Sequence, residues 1–167
     1  MKGDAKSTCG CLDATNQLYS GRDRRKIFND EAGGGPSRNK LVIMNESSIH
    51  YCIYAVDGGL LKEIDGQKSC DLLLKIPQES HLPSQAILVE LKGNKYKQGL
   101  EQLRHSLQRL HGLLQDCSCL YAVVVSSSGL NIRDPDYLRL RNEFMQKGCK
   151  LLPVGNKPIS IPQPTPC

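Results

Sequence analysis

The sequence predicts an α/β protein in which a mixed central β-sheet is flanked by helices. Three observations support this prediction. Residues 41–93 contain several strand-like segments, and a long segment after them carries leucines at steps of three and four residues. Strand-like and helix-like segments then alternate. A length of 167 residues suits one folded core rather than two large domains. The net charge of +5 favours polyanionic partners only mildly, because a surplus this small also serves solubility.

Each element follows from a local pattern. The first strands are short, rich in β-branched or aromatic residues and bounded by turn residues, which is typical of an antiparallel meander. Leu100, Leu103, Leu107, Leu110 and Leu114 form one apolar stripe of an amphipathic helix. The next strand is apolar almost throughout, so we expect it at the centre of the sheet. The predicted elements are strands 41–45, 50–56, 69–76 and 85–93, helix 94–116, strand 119–128, helix 134–147 and strand 149–154.

The chain divides into three predicted segments. Residues 1–40 form an N-terminal helical and flexible segment, with helix expected within 12–31 and a glycine-rich connector after it. Residues 41–154 form the α/β core, and residues 155–167 form an extended tail, because proline is frequent there. No apolar run is long enough to span a membrane, and the amino terminus has no secretory pattern. We therefore expect a cytoplasmic protein without a membrane partner.

The eight cysteines are expected to be reduced thiols, since no export signal accompanies them. Those at positions 52, 70 and 149 lie in apolar segments and suit a buried core. An alternative is a zinc site built from two C-x-C pairs, Cys9 with Cys11 and Cys117 with Cys119. That spacing is shorter than the usual zinc-knuckle spacing, so we treat the zinc site as the weaker interpretation.

One group of polar residues points to chemistry. Asp71 begins an apolar strand, and the next strand ends with Glu90, Leu91 and Lys92. Side chains alternate along a strand, so Glu90 and Lys92 share one face. If the two strands pair, the carboxylates of Asp71 and Glu90 lie close together, where their mutual repulsion favours a hard divalent cation such as Mg²⁺. Such a cation and a neighbouring lysine together suit the hydrolysis of a phosphodiester bond.

These residues resemble a known family. The segments SCDLLLKI, ILVELKG and EQLRHS are similar to motifs of the PD-(D/E)XK nuclease superfamily, which has a restriction-endonuclease-like fold. The resemblance implies an αβββαβ core, here with an extra helix and strand, and metal-dependent cleavage of nucleic acid. It implies that Asp71, Glu90 and the Leu91 carbonyl hold Mg²⁺ or Mn²⁺. It also implies that Lys92 is the catalytic lysine and that Gln102 orients the site.

Several alternatives stay open. The family's upstream acidic residue matches Glu31, Glu46 or Asp57, and the sequence does not choose among them. We expect DNA rather than RNA as the substrate, bound through backbone phosphates by basic residues at positions 22, 24–26, 92, 95 and 97. The alternative function is that of a catalytically inactive nuclease-fold protein that binds or assembles within a larger complex. A homodimer is a further alternative for the assembly state.

Overall fold

The computed structural model describes residues 14–29, 39–62, 64, 66–93, 95–127 and 130–164, and it shows an α/β protein. In these residues two β-sheets are accompanied by two helices. The elements are β1 (Gln17–Gly21), β2 (Arg25–Asn29), β3 (Lys40–Met44), β4 (Tyr51–Ala55), β5 (Leu72–Ile76), β6 (Gln85–Leu91), α1 (Tyr96–Leu114), β7 (Cys119–Val125), α2 (Pro135–Gln146), β8 (Cys149–Gly155) and β9 (Ile159–Ser160).

The larger sheet is mixed, as the sequence predicts. Its order is β1-β4-β5-β6-β7-β8, with antiparallel pairing from β1 to β6 and parallel pairing from β6 to β8. Helices α1 and α2 connect the parallel strands, because a parallel neighbour can be reached only by a crossover. β7 lies inside the sheet with most of its side chains buried, which confirms the prediction of a central strand.

Helix α1 packs on one face of this sheet through the predicted leucine stripe. All five stripe leucines are at most 1% exposed, and they share a core with residues of several strands. Helix α2 begins as predicted, because the Asp134 side chain accepts a hydrogen bond from the Asp136 amide and Pro135 occupies the first turn. Both helix predictions are therefore confirmed, with ends that differ by a residue or two.

The helix predicted within residues 12–31 is wrong where the structure describes it. Apart from a short 3₁₀ turn at Ala14–Asn16, residues 14–29 form β1 and β2. Burial alternates residue by residue in both strands, so Tyr19 and Phe28 face the core while their neighbours are more exposed. That two-residue period is the signature of a half-buried strand. The described part of residues 1–40 thus belongs to the same fold as the predicted core.

The predicted position of strand 41–45 in the main meander is also wrong. This strand is β3, and it belongs to a three-stranded sheet of order β2-β3-β9. Leu41 and Ile43 of β3 pack against the face of the main sheet opposite to α1. The place beside β4 is taken instead by β1. Strand order was misjudged because alternating burial defines a strand but does not identify its partner.

The predicted tail is extended but packed against the fold. β9 pairs with β3, and Ile159 and Ile161 are each 3% exposed. The buried Gln85 side chain donates from Nε2 to the Gln163 carbonyl at 2.9 Å and accepts from the Gln163 amide at 2.9 Å. The side-chain amide of Gln85 therefore pairs with the backbone of Gln163 as a neighbouring strand would. The tail is thus anchored to the fold through Ile159, Ile161 and Gln163, while residues 156–158 are exposed.

The cysteine predictions have a mixed outcome. Cys52, Cys70 and Cys149 are buried free thiols, as predicted. Cys119 is in a disulfide bond, so the expectation of reduced thiols is wrong at this position. A disulfide sulfur is not a zinc thiolate, which removes Cys119 from the alternative zinc site, whose Cys9 and Cys11 lie outside the described residues. Within the described ranges no helix is long and apolar enough to cross a membrane.

Candidate functional site

The predicted site lies at the edge of the main sheet where β5 begins and β6 ends. The antiparallel register pairs Leu72 with Val89, which places Asp71 opposite Glu90. The amide of Leu91 donates to Asp71 Oδ2 at 2.7 Å. A carboxylate that accepts a backbone N–H is held in one orientation. The structure thus brings together the two acidic residues that the sequence predicts as partners.

Glu90 is the most unusual side chain at this edge. It is 1% exposed, and Lys92 Nζ lies 3.3 Å from its Oε1. Its Oε2 is buried and has no hydrogen-bond partner among the residues that the structure describes. Loss of solvation by burial raises the pKa of Glu90 to about 9. Repulsion from Asp71 adds to this rise, Lys92 opposes it, and Asp57 adds a smaller contribution. At neutral pH, Glu90 is therefore protonated unless a further cation compensates its charge.

Helix α1 approaches this pair closely because residue 99 is glycine. A Cβ added at Gly99 would lie 3.0 Å from Lys92 Cγ, 3.1 Å from Glu90 Cγ and 3.3 Å from Val124 Cγ1. Contacts this short force neighbouring atoms to move. The absence of a side chain at position 99 therefore lets the first turns of α1 pack closely against Glu90 and Lys92. The sequence analysis did not identify Gly99, although a glycine within a helical pattern is a signal of close packing.

The same helix holds the chain that leads into Asp71. Gln102 Nε2 donates to the Ser69 carbonyl at 3.1 Å, and the Cys70 amide donates to Ser106 Oγ at 2.7 Å. Ser106 in turn donates to the Gln102 carbonyl at 2.9 Å. Gln102 is thus a buried support of the segment before Asp71. The sequence analysis missed Ser106, although its position four residues after Gln102 puts both on one helix face.

The structure separates the three candidates for the upstream acidic residue. Glu31 lies outside the described residues. Glu46 is exposed in the turn after β3, in the smaller sheet. Asp57 follows β4, its amide donates to the Cys70 carbonyl at 3.1 Å, and its charge acts on Glu90. Asp57 is therefore the described candidate that lies beside Asp71 and Glu90.

Most of the basic residues predicted to bind phosphates have acidic partners instead. Lys97 Nζ lies 3.0 Å from a carboxylate oxygen of Asp134 and 3.0 Å from one of Asp136. Arg22 contacts Glu79 at 2.8 Å. Such pairs weaken the attraction of these side chains for backbone phosphates, which depends on uncompensated charge. Lys92 is the basic residue that contacts the candidate site itself.

Comparison with known proteins gives no family. No protein-family model, no curated protein and no solved structure matches the chain. The assignment of a function therefore depends on the residues at this sheet edge.

The donor set suits a divalent cation. Among the described residues, the buried Oε2 of Glu90 has no hydrogen-bond partner, and Lys92 only partly opposes the rise of the Glu90 pKa. Asp71 supplies a second carboxylate, and the Leu91 carbonyl is a third oxygen on the same strand end. Mg²⁺ and Mn²⁺ prefer such oxygen ligands and retain several waters. In the described residues no group of three or more His, Cys, Asp or Glu side chains is arranged to hold a metal.

Proposed function

We propose that the chain is a metal-dependent nuclease of the PD-(D/E)XK type that hydrolyses phosphodiester bonds, with DNA rather than RNA as substrate. One observation carries the proposal. Asp71 and Glu90 lie opposite each other across β5 and β6, Lys92 Nζ is 3.3 Å from Glu90, and Glu90 Oε2 is buried without a partner in the described residues. A buried carboxylate beside a second carboxylate costs free energy, and such groups are concentrated at functional sites.

The order of elements supports the proposal. β4, β5 and β6 form an antiparallel meander, α1 follows, and β7 returns parallel to β6. This is the βββαβ order that the resemblance implies, and α2 with β8 are the extra helix and strand. The leading helix of the expected core is not among the described residues, where β1 pairs with β4 instead. The proposal therefore rests on Asp71, Glu90 and Lys92 rather than on a complete match to the expected core.

In this proposal Asp71, Glu90 and the Leu91 carbonyl hold Mg²⁺ or Mn²⁺. A bound divalent cation lowers the pKa of a coordinated water and offsets negative charge on the phosphate. The chain's own residues prepare that site. Leu91 N–H orients Asp71, Lys92 stabilises negative charge that develops on the phosphate, and Gln102 fixes the carbonyl of Ser69.

The experiment compares cleavage of single- and double-stranded DNA and RNA by the purified chain with Mn²⁺ and with EDTA. We expect cleavage that requires the metal and is lost in Glu90→Gln, because glutamine preserves shape but cannot carry the charge that binds a cation. Glu46→Gln is the matched control, since it removes an exposed carboxylate outside the site, and it should cut like the unmodified chain. Undiminished cleavage by a folded Glu90→Gln variant would refute the assignment.

A second candidate is a catalytically inactive nuclease-fold protein that serves as a binding or assembly subunit. The observation that favours it is that Glu90 is 1% exposed and already has Lys92 as a cationic partner. A metal-binding enzyme gains stability from Mn²⁺, because a ligand that binds only the native state raises the melting temperature. The enzyme therefore predicts a rise in melting temperature with Mn²⁺ that Glu90→Gln abolishes. If the chain is instead a binding subunit, we expect Mn²⁺ to leave the melting temperature of both the unmodified chain and Glu90→Gln unchanged.

A further inference from the structure

An apolar groove lies between α2 and β8, on elements separate from the candidate nuclease site. Two adjoining cavities of about 300 and 370 Å³ share Met145 and Lys150 in their lining. β8 is the last strand in the order of the larger sheet, so in the described part of the chain no further strand covers this edge. The groove is therefore open to a partner that approaches from outside the sheet.

The rim of the groove exposes large apolar side chains. Met145 is 62% exposed, the highest value among the large hydrophobic residues that the structure describes as exposed, and Ile132 is 51% exposed. The floor includes Tyr137 and Leu151, which are 2% and 4% exposed. Exposed apolar side chains around a concave floor are typical of a site that receives an apolar side chain from a binding partner.

The charge of the groove is positive and uncompensated. Arg141 and Lys150 line it, both are exposed, and neither has an ion-pair partner among the described residues. Two other cations at α2 are paired, since Arg139 and Lys147 both contact Glu143. Glu143 of α2 thus neutralises Arg139 and Lys147. Arg141 and Lys150 at the groove have no ion-pair partner in the described residues. A ligand that complements this surface carries negative charge.

We propose that this groove binds an acidic peptide segment of a partner protein. An apolar side chain of the peptide inserts between Ile132 and Met145, and flanking carboxylates face Arg141 and Lys150. A second copy of this chain fits poorly, because a two-fold contact places the same cations of both copies together. A nucleic acid fits poorly as well, since the floor is apolar and its aromatic residue, Tyr137, is too buried to stack on a base.

The test is a selection of random-sequence peptides displayed on phage against the immobilised full chain. We expect the enriched peptides to place acidic residues on both sides of a large apolar residue. Met145→Lys should weaken the enriched peptides by about tenfold or more, because it removes the apolar contact and adds a charge at its centre. Circular dichroism of Met145→Lys checks that the variant remains folded, as expected for a substitution at an exposed position.

A charge-reversed chain tests whether the cations of the groove select the acidic flanks. The double variant Arg141→Glu with Lys150→Glu should enrich peptides with basic rather than acidic flanks. Lys62→Glu with Lys68→Glu is the matched control, because it changes net charge equally at exposed sites outside the groove, and it should still enrich acidic peptides. No enrichment, peptides without acidic flanks, or acidic peptides retained by the charge-reversed chain would overturn the proposal. Self-association or DNA binding that Met145→Lys abolishes would overturn it in favour of that occupant. None of these outcomes depends on nuclease activity.

Discussion

At the residue scale, the candidate site is an arrangement that lowers stability in the absence of a ligand. Glu90 is buried opposite Asp71, and Lys92 Nζ lies 3.3 Å from Glu90 Oε1. Burial of an incompletely paired carboxylate costs free energy. Such groups are concentrated at functional sites, where a ligand supplies the missing charge. Glu90 is therefore the residue whose titration reports most directly on the site.

The pH dependence of stability follows from Glu90. Burial, repulsion from Asp71 and a smaller effect of Asp57 raise its pKa from 4.5 in the unfolded chain to about 9 when folded, although Lys92 opposes the rise. Between these two values the unfolded chain has released a proton that the folded chain retains. The free energy of unfolding contributed by this group is therefore fully present below about pH 4.5 and is lost as the pH rises towards 9.

Urea denaturation in EDTA between about pH 5 and about pH 9 measures this dependence. We expect the unmodified chain to lose stability as the pH rises, and we expect a flatter profile for Glu90→Gln, which cannot titrate. Saturating Mn²⁺ should also flatten the profile of the unmodified chain, because a bound cation favours the ionised form. Parallel profiles for the two chains in EDTA would show that Glu90 is not the titrating group.

At the element scale, α1 determines the geometry of the site. Its leucine stripe packs on the sheet, while Gln102 and Ser106 on another part of its surface hold the segment before Asp71. The stripe was predictable because helical periodicity is visible in the sequence. The roles of Gln102 and Ser106 as buried supports were not, because they depend on which loop passes over that side of the helix. Gln102 was predicted only through the family resemblance.

Gly99→Ala tests the close approach of α1. Its new Cβ would lie 3.0 Å from Lys92 Cγ and 3.1 Å from Glu90 Cγ, so these two side chains must give way by a few tenths of an ångström. We expect a loss of about 1 to 3 kcal/mol in the free energy of unfolding and a reduced rate of cleavage. Gly112→Ala is the matched control in the same helix, because nothing lies within 4 Å of the added atom. It should gain about 0.5 to 1 kcal/mol through helix propensity. Equal effects of the two substitutions in urea denaturation would contradict this packing.

At the scale of the whole molecule, the chain ends complete the fold around the core. β1 adds a strand to the larger sheet, and β2 with β9 flank β3 in the smaller one. The sequence predicted neither role. RKIFN alternates over only five residues, which is too short to distinguish a strand from a helix, and the prolines of the tail do not indicate that Ile159 and Ile161 are core residues. By contrast, the elements from β4 to β8 were predictable, because the strands are short apolar segments bounded by turn residues and α1 carries a leucine stripe.

Ile161→Ala tests whether the tail is part of the folded core. Ile161 is 3% exposed and its amide donates to the Met44 carbonyl at 2.8 Å. Removal of a buried isoleucine side chain should cost about 2 to 5 kcal/mol. Ile64→Ala is the control, because Ile64 is 53% exposed and its truncation should change stability by less than about 0.5 kcal/mol. Thermal denaturation compares the two variants. A loss no larger for Ile161→Ala than for Ile64→Ala would mean that the tail does not stabilise the fold.

The most direct test of the proposed function is the rate of phosphodiester cleavage by the unmodified chain and by Lys92→Ala with Mn²⁺. The account predicts cleavage by the unmodified chain, none with EDTA, and a loss of about 10²-fold or more in Lys92→Ala, because its ammonium stabilises charge on the phosphate. Lys62→Ala, which removes an exposed lysine outside the site, should cut at the unmodified rate. No cleavage by the folded, unmodified chain on any substrate, or full activity in a folded Lys92→Ala variant, would contradict the account.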